Sequence, residues 1–323
     1  MKLSLLDLAV VHDGGTIAQA LQRTVATAQT AEAAGLHRVW LAEHHSMPGV
    51  ASAATSIVIG HVAAATSTIR VGAGGIMLPN HAPLVVAEQF GTLCALYPDR
   101  IDLGLGRAPG TDGATAQALR HRPASAETYP QQVVELLGYF QPARADQAVI
   151  AVPGAGAELP VWVLGSSSFS AQLAAALGLP YAFAAHFAPA ALTQSLALYH
   201  QNFRPSARLQ RPHTMVACNV IAAQTEAEAR FLGTTQQQMF IDLRRGKRPM
   251  AKPPTHDLGL SRPEMQMLQG VLSCSFLGTP SQVRDGLAAF QQRTQADELM
   301  ITCGVYDHEL RQRSLRWTAE AAL

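Results

Sequence analysis

The sequence predicts an α/β protein, a single (β/α)8 barrel with insertion loops, and three observations carry that expectation. Strand and helix patterns alternate from the first residue, giving eight strand candidates nearly all separated by helices. Ionisable or glycine-rich stretches follow several strands directly, where parallel α/β folds collect catalytic groups. The run Ile101-Asp-Leu-Gly-Leu-Gly106 has glycines where bulky side chains would crowd a barrel interior. A chain of 323 residues usually suggests two domains, but single α/β barrels routinely exceed 250, and 48% hydrophobic content supplies the core. An open, doubly wound sheet with two lobes is the alternative architecture.

The elements follow in order. Residues 3–11 read as a strand, and Thr16 can cap a helix to about Ala34 with Ile17, Ala20, Leu21, Val25 and Ala28 on one face, stopping at Gly35. The second strand is 39–42, Ser52 can cap a helix over 53–65, and 69–72 is the third strand. A helix over 83–97 and the strand 101–106 come next. Residues 108–124 form a Gly/Pro/Thr-rich loop, followed by a helix over about 126–140. The stretch 141–160 lacks a long period and holds a short strand near 149–152. Regularity returns with strand 161–164, helix 170–177, strand 181–184 and a helix around 190–203. The seventh strand is 215–222, with a helix starting near Thr225. Thr279-Pro280 offers a cap and a proline at the first helical position, opening a helix to about Gln292. The eighth strand is 298–303, and 309–321 the closing helix. The composition shifts at 108–124, 141–160 and 244–270 read as insertions in one domain. The last of them, starting Arg244-Arg-Gly-Lys-Arg-Pro, is either a plain surface loop or a lid over a pocket.

A net charge of +1 with 15% charged residues and no basic block gives no support to a nucleic-acid or anionic-membrane partner. Four cysteines (Cys94, Cys218, Cys274, Cys303) lie far apart, without a CxxC or Cys/His cluster, so neither zinc nor a disulfide framework is expected. The N-terminal apolar run is too short and too acidic for a signal peptide, and no window approaches a membrane span. A reduced, cytoplasmic protein is the simplest expectation.

Four strand ends carry candidate chemistry. Glu43, His44 and His45 follow Val39-Trp-Leu; the competing reading is that the histidines only hydrogen-bond the loop. Gly72, Gly74 and Gly75 permit close approach of backbone to a flat ligand, or simply make a turn. Arg107, at the lip of strand 101–106, wants an anion such as phosphate, or a neighbouring acid. Gly165-Ser-Ser-Ser-Phe-Ser170 leads a strand into a helix, and Ser166, Ser167 and Ser170 with free N–H groups would cradle a phosphate; capping by one serine is the bland alternative. No GxGxxG after a strand and no GxxxxGK[ST] occurs, so one phosphate, as in FMN, suits better than a dinucleotide.

The stretches Val39-Trp-Leu-Ala-Glu-His-His, Val71-Gly-Ala-Gly-Gly-Ile-Met-Leu-Pro, Arg100-Ile-Asp-Leu-Gly-Leu-Gly-Arg-Ala-Pro-Gly and Pro160-Val-Trp-Val-Leu-Gly-Ser-Ser resemble the bacterial-luciferase-like flavin monooxygenases in order and spacing. The resemblance implies a (β/α)8 barrel that usually dimerises. It implies binding of reduced FMN from a separate flavin reductase, and reaction with O2 through a flavin hydroperoxide to oxygenate a small organic substrate. By position, His44 corresponds to the histidine that stabilises the peroxide, and Gly74-Gly75 to a non-prolyl cis peptide against the isoalloxazine. Arg107, Ser167 and Ser170 correspond to phosphate contacts, and 244–270 to a variable lid. Ser166 stands where luciferase itself has an acidic residue, and Gly106 where it has a cysteine, so light emission from a long-chain aldehyde is not implied. Pro98-Asp-Arg100 also departs slightly from the usual ending of its segment.

The expected mechanism anchors reduced FMN on Arg107 and the serine loop, with the ring across Gly74-Gly75 facing His44, whose reference pKa of ~6.5 suits proton shuttling. Glu43 would orient or tune the pair. Alternatives are a deazaflavin-dependent hydride-transfer enzyme of the same fold and a flavin-binding protein without turnover. A metallohydrolase is a third, but adjacent His44 and His45 point apart on extended chain. No metal is expected.

Overall fold

Apolar runs such as Val39-Trp40-Leu41 can be buried only where both faces of a sheet are covered. A computed structural model, describing residues 1–108, 112–120 and 127–322, shows how that is achieved. The strands are β1 (Leu3–Asp7), β2 (Arg38–Leu41), β3 (Arg70–Met77), β4 (Ile101–Gly106), β5 (Val161–Gly165), β6 (Tyr181–Phe183), β7 (Thr214–Ala222), β8 (Ser275–Gly278) and β9 (Glu298–Thr302). All pairings between these strands are parallel. The order β1-β2-β3-β4-β5-β6-β7-β9 returns to β1 and closes an eight-stranded barrel. β7 is long enough to serve two partners: Met215–Asn219 pairs with β9, and Asn219–Ala222 pairs with β8, which hangs outside the closed ring. This extra strand, three partly buried residues and a buried glycine, was not expected.

The helices are α1 (Ile17–Ala33), α2 (Thr55–Ala64), α3 (Pro83–Leu96), α4 (Gly113–Ala118), α5 (Tyr129–Tyr139), α6 (Ser168–Leu177), α7 (Leu192–Asn202), α8 (Glu226–Arg244), α9 (Arg262–Val271), α10 (Pro280–Thr294) and α11 (His308–Ala322). Thr16 and Thr279 close full capping boxes with Gln19 and Gln282. No described helix is long and apolar enough to cross a membrane.

Several local expectations are corrected. The first strand stops at Asp7, because its carboxylate accepts from the Ala9 amide at 2.6 Å and turns the chain through a left-handed Ala9. Ser52 does not cap α2; its buried hydroxyl donates to the Ala42 carbonyl at 2.6 Å and ties down the end of β2. Residues 149–152 form no strand and lead into a cis Val152-Pro153 bond. The 244–270 insertion contains α9, opened by a Ser261–Glu264 capping box. Residues 109–111, 121–126 and 323 lie outside the described residues. With them go the Pro109-Gly110 end of the third motif, much of the 108–124 loop and the start of the helix expected at 126.

Two apolar regions result. The larger lies between barrel and helices, with Phe90, Tyr129, Tyr199 and Phe290 fully buried. The smaller fills the barrel with Leu6, Trp40, Trp162, Met215 and Met300, the two indoles meeting edge to face at 5.4 Å. Beneath it, at the amino ends of the strands, Arg38 pairs with Asp102 at 2.6 Å and Glu298 at 2.8 Å. Arg70 grips the other Asp102 oxygen, and Trp40 Nε1 donates to Asp102 at 3.1 Å. This end of a barrel serves stability. The opposite end is left for chemistry.

Candidate functional site

β2, β3, β4 and β5 are successive neighbours, so their carboxyl ends bring Glu43, Gly74-Gly75, Arg107 and the serine loop to one arc of the mouth. A surface cavity of about 400 Å³ lined by Met1, Glu32, His37 and Thr68 lies at the other, amino end.

Glu43 is buried, and both carboxylate oxygens are used. Oε2 accepts from the Met77 amide at 3.0 Å, while Oε1 meets His45 Nε2 at 2.6 Å and His81 Nε2 at 2.9 Å. Burial alone would raise its pKa, but the hydrogen bonds from His81, His45 and the Met77 amide outweigh it and hold the carboxyl below its ordinary value. The three ligand-type atoms lie within 4.8 Å of one another, a constellation that could hold a metal ion. The carboxylate-to-imidazole spacings of 2.6 and 2.9 Å are those of hydrogen bonds; ligands on a tetrahedral zinc with ~2.0–2.1 Å bonds stand ~3.3 Å apart. His81 lies two residues beyond the glycine-rich motif and was not singled out from the sequence. Its only signal was its place on the loop after that strand.

His44 turns away from this triad, as adjacent residues on extended chain do. Its side chain makes no hydrogen bond among the described residues, and its Nδ1 is sealed without a partner. Burial lowers its pKa; the charge of Glu43 works in the opposite direction, and His45 adds to the lowering. Glu43 therefore reaches His44 through space and not through a hydrogen bond.

Gly74 and Gly75 share a non-prolyl cis peptide at the end of β3. A β-carbon on Gly74 would stand 2.9 Å from Leu6 Cδ1, and one on Gly75 2.6 Å from the Gly104 carbonyl oxygen. Backbone packing beneath the strand thus excludes a side chain at Gly75, while Gly74 sits tightly against the Leu6 and Trp40 side chains.

Arg107 is exposed, with its guanidinium carbon 4.2 Å from the centre of the Phe169 ring in the first turn of α6. No described acid pairs with it. Ser167 is the N-cap of α6 but forms no side-chain cap, so among the described residues no side chain caps the first turn beside the cation, where Ser166 and Ser167 also lie. Ser170 is buried and its hydroxyl donates to the Ser167 carbonyl at 2.9 Å, with Tyr181 Oη 3.4 Å away. It shapes the loop from inside.

The insertion after α8 crosses this mouth. The Ala251 backbone pairs with Val11 and Asp13 of the β1 loop, and Arg248 reaches Asp112, the N-cap of α4, at 2.7 Å. Asp242 holds Lys247 and Lys252 at 2.9 and 2.7 Å. Sequence reading also missed His186, beyond β6, whose Nδ1 is likewise sealed without a partner.

Comparison with known proteins agrees with this fold. The family model described as luciferase-like monooxygenase matches residues 1–297. The chain is 50% identical over 314 residues to a protein of Escherichia coli (strain K12) named luciferase-like monooxygenase, covering 96% of this chain and 94% of that one. It is 33% identical to the crystal structure of apo-MsnO8, which superposes with a TM-score of 0.89 over 99% of this chain and 98% of that one. Two more distant structures show the fold alone. The oxygenating constituent of 3,6-diketocamphane monooxygenase from Pseudomonas putida, in complex with FMN, has 16% identity, a TM-score of 0.74 and coverage of 100% and 99%. An F420-dependent secondary alcohol dehydrogenase has 14%, 0.68, and 100% and 99%. The chain belongs to the luciferase-like monooxygenase family.

Proposed function

We propose that the chain is a flavin-dependent monooxygenase that uses reduced FMN and O2 to oxygenate a small organic substrate. The observation that carries the reading is Arg107, which pairs with no described acid and is laid over Phe169 beside a start of α6 that no described side chain caps. An exposed cation and a free helix N-terminus on one rim suit a single phosphate. The Gly74-Gly75 surface, bare of side chains, suits the face of a planar ring. These residues fit FMN: Arg107, Ser166 and Ser167 would hold the phosphate, Ser170 would keep the serine loop in shape, and Gly74-Gly75 would floor the ring.

When bound, reduced FMN supplies the two electrons that let one oxygen atom of O2 pass to an organic molecule. His44 presents an uncharged imidazole at the mouth, able to accept or return a proton near neutral pH. Glu43 raises the basicity of that imidazole from a distance and fixes the β3 loop through Met77 and His81. The 245–261 loop limits water, which would otherwise divert oxygen to hydrogen peroxide. Anchoring by exposed and half-exposed groups suits a flavin that comes and goes, and we assign its reduction to a separate reductase.

The test is anaerobic titration with reduced FMN, followed by admission of oxygen while O2 uptake is recorded. Tight binding and flavin-dependent uptake are expected. Binding of a deazaflavin in preference to FMN would overturn the reading in favour of hydride transfer, and tight FMN binding without oxygen uptake would leave a flavin-binding protein.

A further inference from the structure

We propose that His186 is a second imidazole of the mouth, donating a hydrogen bond to an uncharged acceptor group, of ketone, ester or amide kind, on the organic substrate. The proposal rests on the oxygenase reading of the mouth. Its geometry is independent of flavin.

The barrel order places His186 opposite His44. From β2 to β6 there are four steps in either direction, through β3, β4 and β5 or through β1, β9 and β7. The two histidines that follow these strands therefore face one another across the opening, near enough for His44 to depress the basicity of His186. Each has its Nδ1 sealed from solvent without a partner, and neither forms a side-chain hydrogen bond among the described residues. Both residues keep partial exposure, and Nε2 is not among the sealed, unpaired atoms of either ring. A sealed lone pair is tolerated better than a sealed N–H. His186 is therefore expected to carry its proton on Nε2, as a donor aimed into the mouth.

The residue is also held in a way that space-filling does not require. Asn219 of β7 is buried and uses its whole amide: Nδ2 donates to the His186 carbonyl at 2.7 Å and to Ser275 Oγ at 3.0 Å. Its Oδ1 accepts from Gln236 Nε2 at 2.6 Å and from Thr302 Oγ1 at 2.7 Å. One side chain thereby fixes the loop after β6 to β7, β8, β9 and α8, the rigid support that a binding group needs. Phe187, half exposed and edge-on to the His186 ring at 4.7 Å, adds an apolar wall. Burial, then the nearby His44, drives the His186 pKa down to about 4, so the ring is neutral at physiological pH. A neutral donor beside an apolar wall suits an uncharged acceptor; a carboxylate would want a cation there.

The test uses flavin-free protein labelled with 15N-histidine, so that failure of the flavin reading and failure of this one are separable. Imidazole 1H–15N correlations are recorded on adding cyclohexanone, N-methylacetamide, cyclohexanecarboxylate or toluene, with the His186 signals assigned by their loss in His186→Gln. Saturable movement of the His186 Nε2 signal is expected with both carbonyl probes. Cyclohexanone binding is expected to weaken about tenfold in His186→Phe and less in His186→Gln, which keeps an N–H donor. Toluene binding, read from its own line broadening, should be unchanged in both variants, and matching far-UV spectra confirm that they fold. No saturable shift with either carbonyl probe would overturn the proposal. So would equal weakening for toluene, or tighter binding of the carboxylate than of the ketone.

Discussion

The backbone of Pro249 lies directly on Gly49: a β-carbon at position 49 would stand 2.1 Å from the Pro249 carbonyl oxygen. Gly49 belongs to the loop that follows His44 and His45, and Pro249 to the segment that pairs with Val11 and Asp13 through Ala251. The insertion and the β2 loop are therefore packed backbone to backbone. Gly49→Ala must displace the insertion, because a carbonyl cannot rotate out of the way as a flexible side chain can. Overpacking of this kind costs about 1–3 kcal/mol. Tryptic cleavage after Arg245 and Lys247 is expected to accelerate about tenfold while the melting temperature of the barrel changes little. An unchanged cleavage rate would show that the contact does not restrain the loop.

Arg107→Ala should weaken FMN and leave riboflavin unaffected. A charge-assisted hydrogen bond contributes about 1.5–3 kcal/mol, so a ten- to hundredfold loss of FMN affinity is expected. Riboflavin has the same ring and no phosphate. Equal losses for the two flavins would place Arg107 against the ring or in the packing of Phe169 instead.

His44→Ala should separate binding from chemistry. The imidazole forms no hydrogen bond to another described side chain, so its removal should leave the fold and the FMN affinity within about twofold. With reduced FMN and oxygen, hydrogen peroxide release should quicken about 10²-fold or more, the scale of a lost acid–base group. An unchanged release rate would remove His44 from the reaction.

Much of this site was legible because its chemistry is local. Glu43-His44-His45, Gly74-Gly75, Arg107 and the serine run each sit within a few residues of an apolar strand, and strand ends of a parallel barrel converge by topology. What was not legible depends on contacts between distant segments. Glu43 serves His81, 38 residues on, and not His44 beside it. Ser170 looks like its neighbours in sequence, but Tyr181 and the Ser167 carbonyl turn it inward. His186 follows a three-residue strand and carries no motif. β8 could not be found from periodicity, since it exists only because β7 outruns its pairing with β9.

Acid should destabilise the fold before its carboxylates are protonated. His12, His37 and His186 are each driven to about 4, in every case by burial first. Between pH 6.5 and about 4 the unfolded chain binds these protons and the folded chain does not, so stability falls as pH falls through that window and levels off below it. Each group contributes a slope of at most about 1.4 kcal/mol per pH unit, and less in practice, because all three rings keep some exposure to solvent. Urea unfolding at pH 7 and pH 5 should show the loss, and His186→Gln should reduce it. A wild-type midpoint independent of pH over this range would contradict the buried neutral histidines.

The amino end of the barrel yields a prediction that separates stability from function. Arg38 is buried between Asp102 and Glu298, with its guanidinium 5.7 Å from the Trp40 ring centre and 5.1 Å from that of Trp162. Removing it treats the two acids differently. Asp102 would keep Arg70 and the Trp40 N–H, whereas Glu298 would keep only the Ser4 hydroxyl and Lys2 at 3.9 Å. Arg38→Met should therefore cost about 3–5 kcal/mol, most of it from a stranded Glu298. Pairing it with Glu298→Gln should recover roughly half, because a neutral amide can be buried with the Ser4 contact alone. FMN affinity should be unchanged in any variant that remains folded, since this network and the mouth lie at opposite ends of the strands. A double variant no more stable than Arg38→Met would show that the loss comes from indole packing around the guanidinium and not from the stranded charge.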